Sequence, residues 1–154
     1  RFSNLNTIAL RYFNVYGPRQ DYRRSIPPLM CALIMKLLKS EQPIIYGNGE
    51  KRRDFIYVDD VNRFHELLIT NPNINNNTFN IGFGKNYSVL EVFKIISKLL
   101  NSQIEPVHKP DLPGEAFQNL ADISRAKDIG WEPQVNLEKG LELSIAYIRK
   151  YILN

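Results

Sequence analysis

RYFNVYGPRQ, residues 11–20, decides how this chain is read. With Ile8, Ala9 and Leu10 ahead of it, the stretch gives a nearly continuous apolar run through Tyr16. Such a run predicts a sheet strand covered on both faces. Gly17-Pro18 stops it. One polar side chain, Asn14, sits inside. An amide in an apolar strand must find partners or cost about 1–3 kcal/mol. Two readings follow: a satisfied core Asn holding a loop, or an Asn at the carboxyl end of a strand facing a ligand. The second fits open α/β sheets, which bind ligands in a crevice at that end.

Outward from that strand, the pattern alternates. Residues 21–25 read as a polar loop, and Pro27-Pro28 opens a helix to about residue 40. Ile44-Ile45-Tyr46 is a short strand before the turn Gly47-Asn48-Gly49, and DFIYV (residues 54–58) is another. Asp60 is expected to N-cap a helix through about Thr70, stopped by Pro72. Residues 78–81 form a strand. Ser88-Val89-Leu90-Glu91 is a capping box ahead of an apolar stripe, Val89, Val92, Phe93, Ile96 and Leu100. Residues 103–107 are expected as a strand. Asp122 or Ser124 caps a short helix closed by Gly130, and Asn136 caps the last helix. Strands alternating with helices make the class α/β. No linker divides residues 1–154, which read as a single α/β unit.

Composition excludes several functions. Of 154 residues, 23% are charged and 44% hydrophobic, which argues against disorder. The net charge is +4, but no basic stripe interleaves with aromatics, so nucleic-acid binding is not expected. Lys51-Arg52-Arg53 and Arg23-Arg24 read, on pattern alone, as solvated turns. Cys31 is the single cysteine, in an apolar segment, so a buried structural thiol is expected and no disulfide framework is present. His65 and His108 are isolated, and Asp59-Asp60 reads as turn and cap carboxylates, so no metal site is expected. The apolar stretch over residues 29–38 is too short to span a bilayer. Two N-x-[ST] patterns, at Asn76 and Asn86, come with no sign of secretion. A soluble cytoplasmic protein is the reading.

Three segments carry a resemblance to a known family: RYFNVYGPRQ, IIYGNGEKRRDFIYVDDV (residues 44–61) and ADISRAKDIGWEP (residues 121–133). A weaker fourth is FNIGFGKNYSVLEV (residues 79–92). In that order they resemble the carboxyl-terminal half of extended short-chain dehydrogenases/reductases, the NAD-dependent sugar-nucleotide epimerases and dehydratases. The implied fold is the last part of a Rossmann-type domain with its small substrate-binding domain, the amino-terminal NAD-binding half being absent. Consistent with that, the sequence holds no G-x-G-x-x-G turn, and none of its eight tyrosines has Lys four residues later. No catalytic residue is therefore assigned.

The resemblance implies roles residue by residue. Asn14 matches a strand Asn that hydrogen-bonds the substrate. Tyr12 and Phe13 match positions beside the nicotinamide of NAD. Arg53 matches an Arg that binds the substrate pyrophosphate, and its planar fork of donors suits a phosphate. Ile44 and Tyr46 match positions lining the nucleotide base. The implied activity is that of a nucleotide-sugar epimerase of the UDP-glucose 4-epimerase type, with hydride leaving and returning to C4 of the sugar. A nucleotide-sugar 4,6-dehydratase and a non-catalytic nucleotide-sugar binder are the alternatives. The chain departs from the family at Leu112-Pro113-Gly114-Glu115, where a second phosphate-binding Arg often stands at the Leu112 position; His108 and Lys109 are candidates to replace it. An apolar sheet edge without its usual neighbours predicts self-association.

Overall fold

The apolar run breaks in two. A computed structural model describes residues 6–111 and 113–153. In it, strand β1 (Ile8–Tyr12) pairs parallel with β5 (Asn77–Ile81), while β2 (Asn14–Tyr16) pairs parallel with β4 (Arg52–Tyr57). Phe13 is the switch: its N–H donates to Ile81 O at 2.9 Å, and its carbonyl accepts from Val15 N at 2.8 Å. The expected doubly covered strand is therefore corrected. Ile8 and Leu10 point inward while Ala9 and Arg11 are exposed. That is the period-2 alternation of a half-buried strand.

Strand β4 divides the interior into two cores. Phe55 and Tyr57 face one, and Ile56, between them, faces the other. The first core is closed by α1 (Leu29–Leu38), α3 (Val89–Leu100) and α5 (Leu137–Tyr151), with Tyr16, Ile34, Cys31, Val92, Ile96 and Leu141 buried in it. The second lies under α2 (Val58–Thr70) and α4 (Ser124–Asp128), where Phe64 meets Phe79 and Trp131 edge-on. Antiparallel β6 (Asn86–Ser88) extends β4, and β3 (Ile44–Tyr46) pairs parallel with β7 (Val107–Lys109). The strand expected over residues 103–107 begins at its last residue instead, and β6 is an addition.

Two helix starts follow the sequence. Ser88 Oγ accepts from Glu91 N while Glu91 Oε2 accepts from Ser88 N at 2.6 Å. Asn136 Oδ1 accepts from Lys139 N at 2.9 Å. Two differ. Helix α2 begins at Val58, with Tyr57 as N-cap, so Asp60 lies in the first turn. There it is fully buried, pairs with Arg63, and accepts N–H groups of Gln134 and Val135 at 3.0 Å each. Its carboxylate accepts backbone N–H groups of a distant loop rather than capping the start of its own helix. Helix α4 has Ile123 as N-cap with no side-chain cap bond; Asp122 Oδ1 instead accepts Ser124 N at 3.0 Å.

Glu91 sets a pH prediction. The Ser88 backbone N–H, with Arg52 nearby, holds its carboxyl below the ordinary 4.5. A lowered folded pKa contributes stability that is present above about 4.5 and is lost as pH falls through the folded value. The group is half exposed, so the term is screened and small, a few tenths of a kcal/mol. Glu91→Gln should flatten the acid side of the stability–pH curve by that amount, measured by urea titrations at pH 3 to 7.

Gly140 in α5 lies against the buried Tyr16 ring, and a Cβ there would fall on the Tyr16 hydroxyl. Gly→Ala gains up to about 1 kcal/mol of helix propensity. Overpacking costs about 1–3 kcal/mol, and Tyr16 also bonds Leu137 O at 3.4 Å. The clash wins: Gly140→Ala should lower the melting temperature, by calorimetry.

Candidate functional site

The alternation of β4 also builds the site. The chain entering and running along β4 sends Lys51, Arg53 and Phe55 to one side, where they line a cavity of about 200 Å³. Arg52 goes to the other side, donating Nε–H to Asn86 Oδ1 at 2.9 Å and pairing with Glu91 at 2.9 Å. Asn14, Ile44 and Tyr46 complete the wall. On β3, Ile45 is buried while Ile44 and Tyr46 are exposed, so both face outward together. They also line an adjoining apolar groove of about 370 Å³, with Ile26, Pro27, Leu29 and Leu33. The structure thus brings Asn14, Ile44, Tyr46 and Arg53 to one cavity.

Asn14 is held in one orientation. Its Nδ2 donates to Asp54 O at 2.8 Å, and a carbonyl can only accept, which fixes that atom as the amide nitrogen. A longer contact, 3.4 Å, runs from Nδ2 to Asn119 Oδ1. Asn119 Oδ1 is fixed in turn by Asp54 N–H at 2.8 Å. Asn14 is thus a satisfied amide at the first residue of β2, not at a strand's carboxyl end, and it also lines the cavity.

Arg53 is poised rather than saturated. Its Nη1 donates to Arg52 O at 2.9 Å and Phe117 O at 3.4 Å, while Nη2 lies 3.9 Å from Glu115. Lys51 donates to Asp111 at 2.6 Å and Glu115 at 2.9 Å, and these carboxylates raise its pKa. Its side chain is 14% exposed. The solvated-turn reading of residues 51–53 is therefore corrected: the triplet enters a strand, and its members are divided between two faces. Lys51 and Glu115 are the site residues the sequence reading missed. Strand alternation from Arg53 was the signal for Lys51.

Tyr12 and Phe13 are not in that cavity wall. Tyr12 is 49% exposed and packs on α2. His65 Nδ1 bonds Val61 O at 2.8 Å, which puts the proton on Nδ1, so the Tyr12 hydroxyl donates to Nε2 at 2.8 Å. Phe13, half-buried, sits at the strand switch. Neither His108 nor Lys109 lines the cavity; His108 Nδ1 bonds Gly47 O at 2.7 Å. Leu112 lies outside the described residues. Among those residues, no group of three or more His, Cys, Asp or Glu is placed to hold a metal, and no helix is long and apolar enough to cross a membrane.

A half-buried amide, an Arg and a Lys, and outward apolar and aromatic side chains share one cleft beside parallel strands of an α/β fold. With Glu115 also on the wall, the cations and the amide can donate to an anionic group, and the Tyr46 ring can stack on a flat one. The chain belongs to the NAD dependent epimerase/dehydratase family, whose profile matches residues 1–82. UDP-glucose 4-epimerase of Thermotoga maritima, solved with UDP-glucose, superposes with a TM-score of 0.90 at 39% identity, over 95% of this chain and 47% of that one. UDP-N-acetylglucosamine 4-epimerase of Methanobrevibacter ruminantium gives a TM-score of 0.91 at 34% identity, over 96% and 47%. UDP-glucuronic acid decarboxylase 1 of Arabidopsis thaliana is 29% identical over 157 residues, 100% of this chain and 35% of that protein. The chain spans about half the length, or less, of the relatives it matches.

Proposed function

We propose that this chain is the substrate-binding half of an NAD-dependent nucleotide-sugar epimerase of the UDP-glucose 4-epimerase type. The observation that carries it is the convergence of Asn14, Arg53, Ile44 and Tyr46 on one cavity. Arg53 offers a planar fork to a diphosphate. Ile44 and Tyr46 offer an apolar edge and a ring face to a base. Asn14, its amide nitrogen engaged, keeps an acceptor oxygen for a sugar hydroxyl. The relatives named above share a UDP-sugar across different reactions, which favours that substrate class.

NAD, when bound, supplies the hydride acceptor. Of this chain, Tyr12 and Phe13 would flank its nicotinamide end. The sequence holds no Gly-rich phosphate turn, so we assign the rest of the cofactor to the other half of the full fold. These 154 residues contain no Tyr with Lys four residues on. We therefore read the chain alone as a binder without turnover, one unit over residues 1–154. Isothermal titration with UDP-glucose tests the substrate reading. Micromolar to millimolar binding is expected; no heat with any UDP ligand would sink it. Supplying NAD with UDP-glucose should give no conversion to its C4 epimer by this chain.

Strand β1 pairs with β5 on one side and with no strand on its other among the described residues. Unpaired edges recruit partners. Light scattering should show mass rising with concentration; a constant monomer mass would refute self-association.

A further inference from the structure

We propose that Lys51 is the second cation of the diphosphate seat beside Arg53, and that Glu115 holds this seat until a diphosphate displaces it. The proposal rests on the nucleotide-sugar reading above. One oxygen carries the argument. Glu115 Oε2 lies 2.9 Å from Lys51 Nζ and 3.9 Å from Arg53 Nη2. A single anionic oxygen is thus shared by two cations on the rim of one cavity, as a phosphate oxygen would be. All three side chains line that cavity.

The two cations differ from their carboxylate in how firmly they are held. Their side chains are 14% and 19% exposed, against 42% for Glu115. Lys51 has Asp111 as a further partner at 2.6 Å, so it keeps its place when Glu115 leaves. Arg53 is fixed by backbone carbonyls of Arg52 and Phe117. Glu115 sits on the exposed segment 113–118, next to Gly114, whose φ is +80° and whose missing Cβ would meet nothing within 4 Å. There is open space for that segment to turn. Two residues past Glu115 the backbone is anchored, by Arg52 N–H to Phe117 O at 2.9 Å.

Electrostatics then decides the direction. With Glu115 in place, Lys51, Arg53, Asp111 and Glu115 sum to zero formal charge. Displacing Glu115 leaves a net positive site for a ligand bearing two or more negative charges. A diphosphate offers both cations charge-assisted bonds where one carboxylate oxygen offers one close contact.

The test uses the whole chain and inorganic pyrophosphate, which has neither base nor sugar, by isothermal titration at low salt. Lys51→Met should weaken pyrophosphate binding about tenfold, and Glu115→Gln should strengthen it about threefold. Opposite signs at two contacting residues are not what general damage to the fold gives. Circular dichroism melts check folding, and if Lys51→Met fails to fold, Glu115→Gln remains decisive. Wild-type affinity in Glu115→Gln, or in a folded Lys51→Met, overturns the proposal. Binding of UDP-glucose without binding of pyrophosphate overturns it too, but leaves the nucleotide-sugar reading standing. Failure to bind either ligand overturns both.

Discussion

On the proposed nucleotide-sugar reading, Arg53→Leu should remove about two orders of magnitude of affinity for UDP-glucose. Hydrogen bonds to charged groups are worth about 1.5–3 kcal/mol each, and 1.4 kcal/mol is tenfold. An Arg facing a diphosphate supplies one or two of them. The substitution keeps the strand and an apolar stem, so the backbone pairing of β4 with β2 is unaffected. Arg53→Lys keeps the charge but not the fork, and should fall between, about tenfold weaker than wild type. The side chain also donates to Phe117 O at 3.4 Å and so helps to hold the loop bearing Glu115. Calorimetric titration of the three proteins, each with its melting temperature, separates binding from folding. An Arg53→Leu protein within threefold of wild type would show that the diphosphate is not recognised here.

Much of the fold was legible because its signals are local. The Ser88–Glu91 box and the Asn136 cap are complete within four residues, and both helices start where the sequence places them. The misreadings share one cause. Asp60 looks like a cap because an acid precedes an apolar helical pattern, yet its carboxylate partners Gln134 and Val135 are 74 and 75 residues away. The break at Phe13 is invisible in an apolar run, since it is made by Ile81 O on another strand. Strand β6 exists only because Arg52, Arg53 and Asp54 face Ser88, Tyr87 and Asn86.

The site was legible in a different way. Asn14, Ile44, Tyr46 and Arg53 came from resemblance, and what the structure adds is that they meet. Lys51 was hidden in a basic triplet, because charge alone does not say which face a residue takes. The alternation of a strand does: Lys51 follows Arg53, and Arg52 is sent to Glu91. Glu115 was read only as the end of the Leu112-Pro113-Gly114-Glu115 segment, without a role, since its contact with Lys51 crosses more than sixty residues of chain.

Asp54 carries the largest expected effect on stability, and it works from directly behind the site. Its side chain is fully buried. Oδ1 accepts from Phe83 N at 2.7 Å, and Oδ2 accepts from Gly84 N at 2.9 Å and Ala121 N at 3.0 Å. One carboxylate thus ties β4 to the turn after β5 and to the segment leading into α4. Gly82 has no room for a side chain there, because a Cβ would fall on that of Ala121 beside the same carboxylate. Asp54→Ala leaves three N–H groups without their acceptor, that of Ala121 buried and those of Phe83 and Gly84 part-buried, and should cost about 3–5 kcal/mol. Asp54→Asn is nearly isosteric, yet its NH₂ must face at least one N–H donor, costing about 1–3 kcal/mol. Burial pushes the Asp54 carboxyl above its ordinary value against the pull of the three N–H groups. A raised folded pKa means the fold gains from protonation, so Asp54 does not drive acid unfolding. The loss in Asp54→Asn therefore reflects mispaired donors rather than a missing charge, and it should persist at neutral pH. Urea unfolding should show a lower midpoint with an unchanged m-value. A shift under about 0.5 kcal/mol in Asp54→Ala, the range of ordinary surface changes, would mean that this clamp does not hold the three segments together.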